Sequence, residues 1–185
     1  MISFVNDYSE GAHPRILDLL QQNNLVQSAG YGEDPFCQQA RSLLSEQLQA
    51  PQAQVHFVSG GTQCNTVILK AILRPHEAVI AAESGHIAVH ETGAIEATGH
   101  KVIAMPCQSD GKLSVAMIEQ AMQTHSGEHM VKPKVVYISQ TTEIGSVYSE
   151  AELRAIRACC DRLGLYLHID GARLGAALAS DTSLS

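Results

Sequence analysis

Two short segments carry residue types that suit ligand chemistry. Asp170-Gly171-Ala172-Arg173 follows a β-rich run ending at Ile169, and Gly60-Gly61-Thr62-Gln63 follows a short apolar run ending at Ser59. A carboxylate at the end of a buried strand is costly unless it meets a cation or donors. A protonated ring nitrogen of a bound cofactor is one partner for Asp170. An internal ion pair with Arg173 is another, and Arg173 also suits a carboxylate ligand. At Gly60-Gly61-Thr62 two glycines let the backbone approach a ligand closely. The free N–H groups of the helix that follows favour an anion such as phosphate. The same glycines also serve a plain tight turn. Their spacing matches neither GxGxxG nor the Walker loop. A third segment, Glu83-Ser84-Gly85-His86, offers an imidazole that can stack on a flat ring or serve structure alone. The nine histidines show no HExxH pattern: His90-Glu91 continues Thr92-Gly93, so no metal is expected.

Positioning these groups requires alternating strands and helices. Helices are predicted over His13–Asn23, with Pro14 in the first turn, and from Pro35, capped by Asp34. The second has Phe36, Ala40, Leu43, Leu44 and Leu48 on one face. A strand is predicted over Gln54–Ser59 and a helix from Gly60-Gly61 to Leu73. Ala78–Ala82 reads as a strand, Ile87–Thr98 as mostly helix, Lys101–Met105 as a strand and Ser114–Thr124 as a helix. Lys134–Ser139 is a further strand. Ser149-Glu150-Ala151-Glu152 is a capping box opening a helix that Gly164 ends, and Leu165–Ile169 is the last strand. This α/β alternation implies a mostly parallel sheet flanked by helices on both faces, with ligands at the carboxyl ends of the strands.

Composition narrows the classes. The 185 residues carry a net charge of −7 without a basic cluster, which argues against a nucleic-acid partner. No apolar run has the length of a membrane span, and a soluble cytoplasmic protein is expected. The cysteines (Cys37, Cys64, Cys107, Cys159, Cys160) have no CxxC spacing and are read as reduced, mostly buried thiols.

Four segments occur in order: Tyr31-Gly32-Glu33-Asp34-Pro35; Phe57-Val58-Ser59-Gly60-Gly61-Thr62-Gln63-Cys64-Asn65; Gly85-His86-Ile87 with Glu91-Thr92-Gly93-Ala94; and His168-Ile169-Asp170-Gly171-Ala172-Arg173-Leu174. In this the chain resembles the threonine aldolase and β-eliminating lyase family of fold type I enzymes dependent on pyridoxal 5'-phosphate (PLP), from about Asn6 to about Leu178. The resemblance implies the large PLP-binding domain over 1–185, incomplete on its C-terminal side and without the small domain. It implies that Gly60, Gly61 and Thr62 hold the phosphate, that His86 stacks on the pyridine ring, and that Asp170 pairs with the ring nitrogen. Arg173 is implied near the substrate carboxylate and cofactor, Asp7 at the substrate mouth, and His129 near the substrate hydroxyl. Tyr31 would contribute across an interface of a dimer or tetramer.

The implied reaction is retro-aldol cleavage of a threonine-like β-hydroxy amino acid to glycine and an aldehyde. β-Elimination and transamination on the same scaffold are alternatives. Two departures stand out. Gln140-Thr141-Thr142-Glu143 replaces the family's Glu-Asn-Thr-His, and the five lysines (Lys70, Lys101, Lys112, Lys132, Lys134) match no position of the family's cofactor-holding lysine. The second departure leaves a catalytically dead interaction domain as a further alternative and makes the 185-residue chain alone an expected inactive protein.

Overall fold

The structure, a computed structural model, describes residues 5–180. They fall into two compact units that meet in sequence between Phe57 and Val58. The first contains α1 (Pro14–Asn23) and α2 (Pro35–Gln47). Both start as their sequences dictate. Proline fills the first turn of each, and Asp34 Oδ1 accepts the Cys37 N–H at 2.9 Å. Between them the chain turns through left-handed Tyr31 and Gly32, at φ 62° and 77°. A Cβ at Gly32 would lie 2.9 Å from the Arg41 guanidinium. That guanidinium donates to the Gly32 carbonyl at 2.7 Å and to the Val55 carbonyl at 3.2 Å. The apolar face predicted for α2 forms but stays open, with Phe36, Leu43, Leu44 and Leu48 all exposed.

The second unit holds the sheet. Its elements are α3 (Gly61–Ile72), β1 (Glu77–Ala82), α4 (His86–Val89), β2 (Lys101–Met105), α5 (Val115–Thr124), β3 (Lys132–Ser139), α6 (Glu150–Leu163), β4 (Tyr166–Asp170) and α7 (Leu174–Ser180). All pairings are parallel, in the order β2-β1-β3-β4. Alternate residues face opposite sides. Ile80, Val136 and Ile138 pack with Ile103, Leu113, Ile118 and Ile156 on one face, and Val79, Ala81, Val135 and Tyr137 with Leu69, Ile87 and Ile95 on the other. β1 is buried along its whole length, as a central parallel strand covered on both faces should be. Moving from β2 to β3 the chain passes over β1, so the direction of winding reverses between β1 and β3. The carboxyl ends at that reversal are where open α/β sheets bind ligands.

α6 matches its sequence closely: Ser149 and Glu152 exchange the two capping-box bonds, and Gly164 takes φ 65° at the C-cap. Two expectations are corrected. Residues 54–59 are not a strand, because none of the four strands pairs with them; a period-two pattern makes a chain extended, but a strand needs a hydrogen-bonding neighbour. The predicted helix over Ile87–Thr98 is broken into α4 and a single 3-10 turn, Glu96–Thr98, by left-handed Thr92 and Gly93 at φ 55° and 74°. All five cysteines are free, but only Cys159 and Cys160 are buried. Among the described residues no helix is long and apolar enough to cross a membrane.

Candidate active site at the carboxyl ends of the strands

The site is built from β1, β3, β4 and α3 within the second unit. β1 ends at Ala82, and a tight turn closed by the Gly85 N–H on the Ala82 carbonyl, 2.9 Å, delivers His86 to the start of α4. Glycine fits closely there, since a Cβ would lie 3.0 Å from that carbonyl oxygen. β4 ends on Asp170 itself. α3 runs back from the Gly60–Gly61 turn along the sheet and presents Asn65, 2% exposed, one turn in.

A connected polar network joins these elements. Asp170 Oδ2 accepts from the Tyr137 hydroxyl at 2.7 Å and from Asn65 Nδ2 at 3.0 Å, and its Oδ1 accepts from the Ala172 N–H at 3.0 Å. Asn65 Nδ2 also donates to Glu91 Oε1 at 2.7 Å, and Asn65 Oδ1 accepts from His168 Nε2 at 2.8 Å. Glu91 Oε1 receives a second bond from His86 Nδ1, again at 2.8 Å. The Glu91 side chain is fully buried, whereas His86 keeps 35% of its side chain exposed.

Burial pushes the Asp170 carboxyl up, but the bonds from Asn65, Tyr137 and Ala172, with His168 nearby, outweigh it and hold the group below its usual value. Asp170 is therefore an anion at neutral pH. Burial lowers His168 against the pull of Asp170 and Glu91, so His168 is neutral. Burial, with the negative charge of Asp170 added, raises Tyr137 far above an ordinary phenol and keeps it a donor.

His86, Glu91 and Asp170 offer ligand atoms within 4.8 Å of one another, a grouping that a metal could use. Here the Asn65 amide donates to both carboxylates, so the arrangement serves hydrogen bonding.

Among the residues singled out in the sequence, Gly60, Gly61 and Thr62 form the N-terminal turn of α3, His86 and Asp170 meet through Glu91 and Asn65, and Arg173 follows Asp170 by three residues, its Nη1 3.6 Å from Glu143 Oε2. An added Cβ at Gly60 or Gly61 would meet nothing within 4 Å. Asp7 is an exposed residue of the first unit. His129 is not brought to the site: it sits exposed in the turn preceding β3, at the amino edge of the parallel sheet, while Asp170 ends β4 at the carboxyl edge. Asn65, Glu91, Tyr137 and His168 had not been assigned roles. His168 and Asp170 share a face of β4 by the period of two, and that was the available signal.

The lysines lie elsewhere. Lys70 Nζ donates to the Thr98 carbonyl at 2.9 Å, Lys112 pairs with Glu152 at 2.8 Å, and Lys101, Lys132 and Lys134 stand at the amino ends of β2 and β3.

Solved structures share this architecture. An aminotransferase from Mycobacterium tuberculosis superimposes with a TM-score of 0.64 at 17% identity, over 90% of this chain and 45% of that one. The fold is that of the large domain of fold type I PLP-dependent enzymes. Closer matches narrow the class. The Leishmania major threonine aldolase matches with a TM-score of 0.93 and 58% identity over 95% of this chain and 51% of its own. The low specificity L-threonine aldolase of Pseudomonas aeruginosa is 34% identical over 178 residues, 95% of this chain and 51% of that protein. The beta-eliminating lyase family profile matches residues 16–184, and the chain belongs to that family. It spans about half the length of the curated aldolases it matches.

Proposed function

We propose that the protein containing this chain is a PLP-dependent lyase that cleaves threonine-like β-hydroxy amino acids to glycine and an aldehyde. The observation that carries this reading is Asp170: an ionised carboxylate at a strand end, held by three donors, near a partly exposed imidazole and bonded to Asn65 of the helix that the glycine turn opens. That donor set fits PLP. The phosphate suits the free N–H groups at the start of α3 around Gly60, Gly61 and Thr62. The ring nitrogen suits Asp170, whose charge keeps it protonated, and the His86 ring suits the pyridine face. When bound, PLP supplies the electron sink that bond cleavage at Cα requires.

The residues of this chain do the rest. Tyr137 and Asn65 orient the Asp170 carboxylate and keep it ionised. Arg173 supplies a guanidinium for the substrate carboxylate, with Asp7 at the substrate mouth. A cytoplasmic homo-oligomer, with residues 1–185 as part of the PLP-binding domain, accompanies this reading. The family profile favours β-elimination as the second reading. Assaying the full-length protein with PLP on threonine, serine and an amino acid bearing a β-leaving group separates the two. Acetaldehyde and glycine from threonine are expected. Release of ammonia and a keto acid from the leaving-group substrate alone would replace the aldolase reading by an eliminating one. No turnover of any of them would leave the scaffold as a binding domain.

A further inference from the structure

We infer that Glu91 is a positioning residue that fixes the proton of His86 on Nδ1 and leaves Nε2 with its lone pair. The inference deepens the proposed reading of that site. It starts from the cost of Glu91. Its side chain is fully buried, one oxygen takes two bonds, and the other, Oε2, has no partner. A glutamine would be cheaper to bury. What a carboxylate adds is that it only accepts.

The direction of every bond around it follows. His168, held neutral, gives its Nε2 proton to Asn65 Oδ1. That leaves Asn65 only its NH2 to offer, and it divides this between Glu91 and Asp170. Glu91 Oε1 already accepts from the Asn65 NH2, and a carboxylate oxygen in that position accepts from His86 Nδ1 as well, at 2.8 Å. A neutral imidazole has one N–H, and Nε2 therefore keeps its lone pair. The His86 side chain itself keeps 35% of its surface exposed. The stacking candidate and the ring-nitrogen candidate are thereby set by one chain of bonds through Asn65.

The tautomer can be read directly. The full-length protein, labelled with 15N-histidine and free of cofactor and substrate, would be examined by magic-angle spinning NMR at alkaline pH. The His86 signals would be assigned by their loss in His86→Gln. A protonated Nδ1 with an unprotonated Nε2 is expected in the wild type. Glu91→Ala should move the proton to Nε2, whereas Glu91→Gln, whose amide oxygen still accepts, should keep it on Nδ1. An Nε2–H tautomer in the wild type or in Glu91→Gln, or an unmoved proton in a folded Glu91→Ala, overturns the inference. Because no turnover is measured, these outcomes are independent of which amino acid the enzyme cleaves.

Discussion

Replacing Asp170 by Asn keeps the side chain's shape and removes its charge, and the structure sets what else is lost. The carboxylate accepts on both oxygens: Tyr137 and Asn65 on Oδ2, Ala172 on Oδ1. An asparagine has one acceptor oxygen. Placed at Oδ2 it keeps Tyr137 and Asn65 and turns an NH2 against the Ala172 N–H. One bond is therefore lost in the protein itself, at a cost of about 1–3 kcal/mol. A hydrogen bond to a charged group contributes about 1.5–3 kcal/mol, and stripping the charge from a partly buried pair costs about 3–5 kcal/mol. With each factor of ten in rate equal to about 1.4 kcal/mol, Asp170→Asn should lower turnover on the order of a hundredfold or more. The phosphate turn is untouched, so PLP content should persist. The assay is aldehyde release from threonine by the full-length holoenzyme, with bound PLP quantified in parallel. Unchanged turnover at full PLP occupancy would show that Asp170 is not the ring-nitrogen partner.

Three further outcomes follow from the same geometry. Tyr137→Phe removes the hydroxyl 2.7 Å from Asp170, so unfolding of the full-length protein in urea should cost about 2 kcal/mol less at neutral pH. The deficit should shrink on acidification through the carboxylate range; a deficit that is the same at both pH values would break the link to Asp170. His168 has its pKa depressed by burial. Its contribution to stability is therefore full above the ordinary histidine value of about 6.5 and is lost as pH falls toward the folded value; melting temperatures at about pH 8 and pH 5.5 should differ less in His168→Gln than in the wild type. The five lysines stand away from Asp170, so residues 1–185 expressed alone with PLP and borohydride should show no stoichiometric label on any single lysine by mass spectrometry. Such a label, with aldehyde release from threonine, would show that one of the five holds the cofactor.

Local signals were legible where local physics decides. Asp34, Ser149 and Gly164 are caps whose effect is complete within four residues, and they lie where the sequence places them. β1 and β3 are legible as apolar runs, β3 rich in β-branched residues, because both faces are buried. The misses share a different cause. Residues 54–59 needed a neighbouring strand, and nothing local says whether one arrives. Thr92-Gly93 breaks a helical pattern through two left-handed residues, which periodicity does not register. Two site residues far apart in sequence, His86 and Asp170, are legible from strand ends. Asn65 and Glu91, which join them, are not: each is a lone polar residue whose meaning depends on the others.

The Asn65–Asp170 bond spans 105 positions of the chain. In a polypeptide made from its amino end, Asn65 and Tyr137 emerge well before their common acceptor, Asp170. Until β4 has left the ribosome and paired with β3, the Asn65 amide and the Tyr137 hydroxyl lack the carboxylate they are arranged around, and β3 lacks its outer neighbour. The glycine turn of α3 can form much earlier, since it needs only its own helix. On the proposed reading, a growing chain would acquire its grip for an anion first and its partner for a protonated ring only when β4 arrives.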